Sequence, residues 1–357
     1  MANKIKVAVI GCGTIANSAH IPSYLKCDNA EIKYLCDILP EKAKATAEKF
    51  EIADKVQIIE DYKIALADPE IEAISVCTPN KMHSIIAIDA LKAGKNVLCE
   101  KPAARTYAEA LEMQKAQHAT GKVLMIGVVN RYNSAVNEIK KFIDAGELGE
   151  VYHVYASFRR YRGIPGLGGA FTTKEIAGGG ALIDIGVHAF DKIMYCTNDP
   201  EPLSVSARAF SKLGVDMKNY VYESMWAENT KNVNGIYDVD DFVTGFIRTA
   251  GPTITFNGAW AQNIGESDDS TEFLGTKAGI KLKGGKFTVY TTKDGKLYNY
   301  QPEFEAKDPF HVEIASFLEA VETGKKFPSH IDKNILTSRL MQAIYDSSET
   351  GKEIVLA

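Results

Sequence analysis

Three residue types that together perform acid–base chemistry stand in two short motifs of this chain. Lys101 directly follows an apolar stretch, while Asp184 and His188 come just after a run of three glycines. Residues four apart on a helix share a face, so Asp184 could hold the imidazole of His188 in one tautomer. The lysine could donate a hydrogen bond to a reacting oxygen atom. We therefore expect a site that transfers protons.

The chain begins with a motif that is typical of dinucleotide binding. Apolar residues 4–10 predict a strand that runs into Gly11, Gly13 and Ala16, the GxGxxG/A spacing. Gly11 permits a tight turn, Gly13 lets the backbone approach a pyrophosphate, and Ala16 lets the next helix pack closely. The amide-rich start of that helix favours phosphate groups. The alternative is a tight glycine turn in an ordinary α/β protein.

The residues after the second predicted strand indicate which dinucleotide binds. Residues 31–36 predict a strand that ends at Asp37, whose carboxylate would accept hydrogen bonds from the adenosine ribose hydroxyls. Ile38 follows, so an arginine that could hold a 2′-phosphate is missing there, and Lys42 is the nearest cation. The sequence therefore favours NAD over NADP.

The composition excludes several classes of protein. A length of 357 residues suffices for two domains, and 45% hydrophobic with 24% charged residues is typical of a soluble globular protein. The net charge of −5 and a pI near 5.9 argue against nucleic acid or a membrane surface as partner. No stretch reaches the roughly 18 apolar residues of a membrane span and no signal segment is evident, so we expect a cytoplasmic protein. The six cysteines have no CxxC spacing, which indicates reduced thiols.

The order of predicted elements divides the chain at residue 128. In residues 1–128 strands alternate with helices, which predicts a parallel, doubly wound Rossmann sheet. Residues 129–357 instead contain long β stretches joined by turn sequences, which predicts an α+β domain on an open, mainly antiparallel sheet. The predicted strands of the first domain are 4–10, 31–36, 56–59, 73–77, 96–99 and 123–128. Those of the second are 151–158, 241–248, 253–261, 281–283, 287–292 and 297–301.

Other polar residues follow the predicted strands. Thr78, Pro79 and Asn80 come after the fourth strand, where a nicotinamide ribose would lie, and His83 starts the next helix as a packing or cofactor residue. The basic run 159–162 could contact substrate or form a solvated rim. Asp184 and His188 could instead form a buried pair or be two metal ligands. A third ligand at a suitable spacing is not evident, although Asp191 on the same helix face leaves that option open. Trp260 is predicted to be in the core or an interface.

These motifs together resemble the Gfo/Idh/MocA oxidoreductases, named for glucose–fructose oxidoreductase and inositol dehydrogenase. The resemblance covers the whole chain. It depends on the glycine loop, on Glu100-Lys101-Pro102, on Asn130-Arg131 and on the segment from the glycine triplet to His188. It implies a Rossmann domain followed by an open sheet with helices on one face, the other face making dimer or tetramer contacts.

The resemblance also implies an activity: NAD-linked oxidation or reduction of a secondary alcohol of a sugar, polyol or glycoside, with the 3-hydroxyl of a glucoside as a specific candidate. His188 would be the acid/base, Asp184 would orient it, and Lys101 would bind and polarise the reacting oxygen. Substrate contacts would come from Lys101, Arg131, Arg159, Asp184 and His188, without a metal. The cofactor would be bound by Gly11, Gly13, Thr14, Ile15, Asp37, Thr78, Pro79, Asn80, His83, Glu100, Lys101 and Asn130.

Two other functions fit the same residues. One is a closed redox cycle with tightly bound NAD, either between two sugars or in cleavage of a glycosidic bond. The other is a regulator that binds NAD(P) without catalysis. A lysine, an aspartate and a histidine of this kind are not needed by a regulator. The segments 159–171 and 222–238 are expected to select the substrate.

Overall fold

The computed structural model describes residues 4–223 and 231–356, and the chain divides into two compact units. Met1–Tyr132 and Asp308–Ile335 form the first unit, and Asn133–Lys307 and Leu336–Ala357 form the second. The expected division at residue 128 assigns 308–335 to the second domain, so the two divisions differ there. The reason is tertiary packing, because Ile314 and Phe317 are buried in the apolar core that also contains Val7.

The first unit is built on a six-stranded parallel sheet. The strand order β3-β2-β1-β4-β5-β6 is the order of dinucleotide-binding sheets. All six strands lie where the sequence predicted them, within two residues at each end. They are β1 Ile5–Ile10, β2 Ala30–Cys36, β3 Gln57–Ile59, β4 Ala73–Val76, β5 Asn96–Glu100 and β6 Leu124–Gly127.

Short helical segments connect these strands and cover the sheet. The central strands are buried almost throughout, as continuous apolar runs in a parallel sheet should be. A π-helical turn, Ala16–His20, follows the glycine loop and continues directly into the first α-helix. The helices are α1 Ile21–Leu25, α2 Pro40–Lys49, α3 Tyr62–Ala67, α4 His83–Lys92 and α5 Tyr107–Thr120, with short 3-10 turns at Asn80–Met82 and Val129–Tyr132.

The second unit is built on a nine-stranded mixed sheet in the order β14-β13-β12-β11-β7-β10-β9-β8-β15. β7 and β10 are parallel, and the other neighbours are antiparallel, so the predicted mainly antiparallel sheet is confirmed. The strands are β7 Val151–Arg159, β8 Pro202–Phe210, β9 Phe242–Thr249, β10 Thr253–Ala259, β11 Asp268–Gly275, β12 Ala278–Lys283, β13 Lys286–Lys293, β14 Lys296–Tyr300 and β15 Ile354–Val355.

Helices pack on one face of this second sheet. Phe190 lies edge-on to both Phe158 of β7 and Phe256 of β10, with ring centroids 5.8 and 5.0 Å apart. A 3-10 turn, Ala170–Thr172, and a second π-helical turn, Leu182–Gly186, also occur here. The helices of the second unit are α6 Ser134–Asp144, α7 Lys174–Ala177 and α8 Val187–Cys196. The last two helices of the chain are α9 Pro309–Thr323, which belongs to the first unit, and α10 Ile331–Thr350, which contains the boundary between the units. None of the described helices has the length and apolar character needed to cross a membrane.

Candidate active site

The glycine loop has the geometry that a bound dinucleotide requires. Gly11 has a φ of +94°, and an added Cβ would lie 2.6 Å from the carbonyl oxygen of Cys77. A Cβ on Gly13 would meet nothing within 4 Å, so its backbone borders open space. Asp37 stabilises this loop, because one carboxylate oxygen accepts a 2.9 Å hydrogen bond from the Cys12 amide. The space next to Gly13 is where a pyrophosphate would approach the backbone.

Alanine at each of these two glycines is expected to have a different effect. Gly11→Ala adds both a backbone clash and an unfavourable φ, so it should lower the free energy of unfolding by about 1–3 kcal/mol or more. Gly13→Ala should change stability by less than about 0.5 kcal/mol but weaken NADH binding about tenfold, a loss of about 1.4 kcal/mol. Urea unfolding and NADH fluorescence titration measure the two effects. A Gly13→Ala variant that binds NADH as tightly as the wild type would contradict this reading of the loop.

Two loops meet at the carboxyl edge of the sheet beyond β4 and β5. The buried hydroxyl oxygen of Thr78 has no hydrogen-bond partner among the described residues, as expected of a group that contacts a ligand. His83 is buried between these loops: Nε2 lies 2.8 Å from the Thr78 carbonyl and Nδ1 lies 2.7 Å from the Pro102 carbonyl. Burial lowers the pKa of His83. The ring therefore links the two loops, and its contact with the cofactor stays a prediction.

Glu100 ends β5 and is engaged within the protein. The residue is only 5% exposed. One carboxylate oxygen lies 2.8 Å from Nε2 of His20, and the other accepts a 3.1 Å hydrogen bond from the Lys101 amide. Burial raises the pKa of Glu100, but His20, together with Lys101 and His83, lowers it more, and the net pKa is lowered. The contact between Glu100 and His20 was not predicted from the sequence, and it gives Glu100 a structural task besides the cofactor contact expected of it.

In the second unit, Asp184 is held by a tryptophan. Asp184 lies in the π-helical turn Leu182–Gly186 and is 7% exposed. The indole N–H of Trp260 donates a 2.9 Å hydrogen bond to its Oδ2, and an Arg160 guanidinium nitrogen lies 4.0 Å from the same atom. His188 is half-buried in the first turn of α8, directly after the π-helical turn. Such π-helical turns are frequent at functional sites. The hydrogen bond from its indole N–H to Asp184 gives the buried Trp260 a polar role that was not predicted.

The glycine triplet lets the backbone of Asp240 approach closely. A Cβ on Gly180 would collide with the carbonyl oxygen of Asp240. The Asp240 carboxylate accepts hydrogen bonds of 2.8 and 2.9 Å from the amides of Gly180 and Leu182, and a third, of 2.6 Å, from the Tyr345 hydroxyl. Asp240 therefore fixes the start of the turn that carries Asp184. This contact between Asp240 and the glycine triplet was not predicted from the sequence.

The two arginines at the end of β7 make different contacts. Phe158 points to the face of the sheet covered by α8, so Arg159 points to the opposite face. There its guanidinium donates a 2.9 Å hydrogen bond to Ser157 and lies 3.7 Å from Asp268. The neighbouring Arg160 instead approaches Asp184. The substrate contact expected of Arg159 stays a prediction.

Arg131 makes a contact that was not predicted from the sequence. It lies in the turn Val129–Tyr132, which also contains the predicted cofactor residue Asn130. The side chain is 1% exposed and donates a 2.9 Å hydrogen bond to the Pro328 carbonyl, within the first unit. This contact gives Arg131 a packing role, and its substrate contact stays a prediction.

The remaining predicted residues lie at the same carboxyl edge of the first sheet. Thr14 begins the helical segment after the glycine loop, with Ile15 next to it, and Pro79 and Asn80 begin the short turn before α4. Within residues 4–223 and 231–356, no group of three or more His, Cys, Asp or Glu side chains could hold a metal ion. Asp191, considered above as a ligand, accepts a hydrogen bond from the Thr337 hydroxyl at 3.3 Å.

Known proteins are similar to this chain over almost its whole length. A family model described as an oxidoreductase family with an NAD-binding Rossmann fold matches residues 5–128, and a GFO/IDH/MocA C-terminal domain matches residues 136–281. D-glucoside 3-dehydrogenase of Escherichia coli is 32% identical, over 99% of this chain and 98% of its own length. Levoglucosan dehydrogenase of Pseudarthrobacter phenanthrenivorans is 29% identical, over 80% of this chain and 68% of its own.

A solved structure shares the fold. The crystal structure of aldose-aldose oxidoreductase from Caulobacter crescentus matches with a TM-score of 0.82 and 23% identity, over 99% of this chain and 100% of that one. At this identity the likeness concerns the fold alone. Together with the family models, it confirms the predicted fold and the predicted resemblance.

Proposed function

The chain belongs to the Gfo/Idh/MocA oxidoreductases, and from this membership we propose that it is an NAD-dependent dehydrogenase that oxidises a secondary alcohol of a sugar, polyol or glycoside. The observation that carries the proposal is the carboxyl edge of the first sheet, where Lys101 directly follows β5 and the glycine loop follows β1. Similarity to D-glucoside 3-dehydrogenase over almost the whole chain supports a glucoside, oxidised at carbon 3, as the substrate.

The residues at this edge fit a nicotinamide dinucleotide. The open space at Gly13 suits a pyrophosphate, and the unpartnered hydroxyl of Thr78 suits a polar group of the ligand. When bound, the nicotinamide supplies a hydride acceptor. Asp37 directly follows β2, and the next residue, Ile38, is 84% exposed. An exposed apolar side chain offers no charge to a 2′-phosphate, which supports NAD over NADP.

Changing Asp37 tests this cofactor choice. Asp37→Ala should raise the KM for NAD about tenfold or more, because the carboxylate that accepts hydrogen bonds from the ribose hydroxyls and from the Cys12 amide is removed. The KM for NADP should rise less, because repulsion of the 2′-phosphate is also removed. Asp37→Asn is the matched control, since its amide oxygen can still accept from Cys12. A wild-type enzyme that prefers NADP would contradict the assignment.

Three side chains of the protein carry the proposed chemistry. Lys101 donates a hydrogen bond to the reacting oxygen and stabilises the negative charge that develops on it. His188 accepts the hydroxyl proton during oxidation and returns it in the reverse direction. Asp184, oriented by Trp260 and faced by Arg160, holds the histidine or a neighbouring hydroxyl in place. Asn80 and Asn130 are assigned to the cofactor.

The proposal includes the setting in which the enzyme works. All six cysteines are free, which supports a reducing compartment such as the cytoplasm. The face of the second sheet opposite α8 bears exposed tyrosines, among them Tyr155 and Tyr290, and we assign it to contacts between copies in a homo-oligomer. Of the proposed substrate-selecting segments, 159–171 is described by the structure, whereas residues 224–230 of the other lie outside the described part.

A substrate panel tests the proposed function. Initial rates of NADH formation are measured at 340 nm with inositols, aldoses, glucosides and sugar acids, using NAD and NADP in parallel. We expect a rate with NAD for one class of sugar or glycoside. If no substrate gives NADH but the purified protein carries a nucleotide, a closed redox cycle replaces the dehydrogenase. A protein with neither turnover nor a bound nucleotide would contradict the proposal.

A further inference from the structure

A buried histidine outside the three proposed catalytic residues contacts Glu100, the residue that precedes Lys101. His20 is the last residue of the π-helical turn that follows the glycine loop, and it is 1% exposed. Its Nε2 lies 2.8 Å from an oxygen of Glu100, and its Nδ1 lies 2.7 Å from the Ser75 hydroxyl. A carboxylate can only accept a hydrogen bond, so Nε2 carries the proton and donates it.

The contact continues from Glu100 to the lysine. The second carboxylate oxygen of Glu100 accepts a 3.1 Å hydrogen bond from the amide of Lys101. Gly127 of β6 lies so close to Glu100 that an added Cβ would stand 3.1 Å from its carboxylate. The carboxylate is thus confined between His20, Gly127 and the backbone from which the Lys101 side chain extends.

Electrostatics explains why this arrangement needs the histidine. A buried carboxylate is costly unless it is paired and hydrogen-bonded, and removing one partner of a buried pair leaves an uncompensated charge. Burial lowers the pKa of His20, but Cys77 and Glu100 raise it more, to about 10. The ring is enclosed by the protein and donates to Glu100 through Nε2, which makes it a partner for Glu100 and not a donor of protons to a substrate.

We propose that His20 is a positioning residue for Lys101: by holding Glu100, it fixes the backbone from which the lysine reaches the reacting oxygen. The inference depends on the proposed function of Lys101. Without the Nε2 donor, the Glu100 carboxylate turns toward other donors and the start of the Lys101 loop moves with it. A displacement of about 1 Å at a reacting group can cost about a hundredfold in rate.

Two variants that carry the same amide group on side chains of different length separate this role from simple packing. In His20→Gln the side-chain amide nitrogen extends to about the position of Nε2 and can still donate to Glu100. In His20→Asn the shorter side chain reaches only toward Ser75. We expect His20→Asn to lose about a hundredfold in kcat and His20→Gln to keep kcat within about tenfold of the wild type, while the dissociation constant of NADH, measured by fluorescence, changes less than about threefold in both.

A double variant keeps the test decisive if His20→Asn folds poorly. Glu100→Gln neutralises the buried carboxylate, so His20→Asn combined with Glu100→Gln should be more stable than His20→Asn alone, and the loss in kcat should be smaller than the product of the two single losses. Independent, multiplicative losses would overturn the coupling between the two residues.

Three further results would overturn the inference. One is an equal loss of kcat in His20→Asn and His20→Gln, which would assign His20 to packing alone. Another is a loss of NADH affinity as large as the loss of kcat, which would assign it to the dinucleotide loop. The third is normal turnover of His20→Asn while Lys101→Ala is inactive. Normal turnover of Lys101→Ala would instead show that the proposed function of Lys101 has failed.

Discussion

Replacing Lys101 by alanine is expected to lower kcat about a thousandfold while the dissociation constant of NADH stays within about threefold of the wild type. The ammonium group stabilises charge that develops on the substrate oxygen during the reaction, so its loss affects the transition state more than ground-state binding. Steady-state kinetics with the substrate from the panel measure kcat, and fluorescence titration measures NADH binding.

Two further variants control this experiment. Lys92→Ala removes an exposed lysine of α4 from the same unit and should leave kcat unchanged. Lys101→Arg keeps the charge but presents a larger planar group, so it should recover only a small part of the lost rate. If Lys101→Ala turned over like Lys92→Ala, the catalytic assignment of this lysine would be wrong.

His188→Ala is expected to have an effect of similar size, a loss of about a hundredfold to ten-thousandfold in kcat, because the hydroxyl proton loses its acceptor. NADH binding should again be preserved, since no part of the glycine loop changes. Added imidazole should restore part of the rate, because a small base can enter the space that the side chain leaves. The rate is measured as a function of imidazole concentration at constant ionic strength.

Another histidine of the second unit provides the control. His153 lies in β7 on the face that carries Arg159, and its ring contacts the hydroxyls of Thr253 and Thr255. His153→Ala should leave kcat unchanged, and imidazole should not affect it. A His188→Ala enzyme with wild-type turnover would remove His188 from the mechanism.

The elements of the fold that depend on local sequence were predictable. The glycine loop, Asp37 and the Glu100-Lys101-Pro102 turn each follow a strand whose apolar run is visible in the sequence. Such motifs depend on the conformation of a few consecutive residues, so their position at the sheet edge follows once the strands are recognised. The hairpin of β9 and β10 was predictable for the same reason.

The contacts that support the site join residues distant in sequence, and these were not predictable. Trp260 donates to Asp184, and Asp240 accepts from the Gly180 amide, across separations of 76 and 60 residues. No local pattern encodes which strand end meets which helix. His20 and Glu100, 80 residues apart, are a third case.

The different contacts of Arg159 and Arg160 have a local cause. Side chains of a strand alternate between faces, so the predicted contact depends on knowing which residue of β7 points to the helices. Phe158 does, which sends Arg159 to the opposite face and leaves Arg160 to approach Asp184. The sequence contained both arginines, but the alternation could be assigned only after the packing of Phe158 against Phe190 was known.

The most direct measurement of the central claim is transfer of an isotope from substrate to cofactor. A methyl glucoside deuterated at carbon 3 is incubated with the enzyme and NAD, and both products are analysed by mass spectrometry. The account predicts a 3-keto glycoside and NADH that carries the deuterium, with transfer lost in Lys101→Ala and His188→Ala. Absence of labelled NADH and of any keto product, with an enzyme that binds NADH, would contradict it.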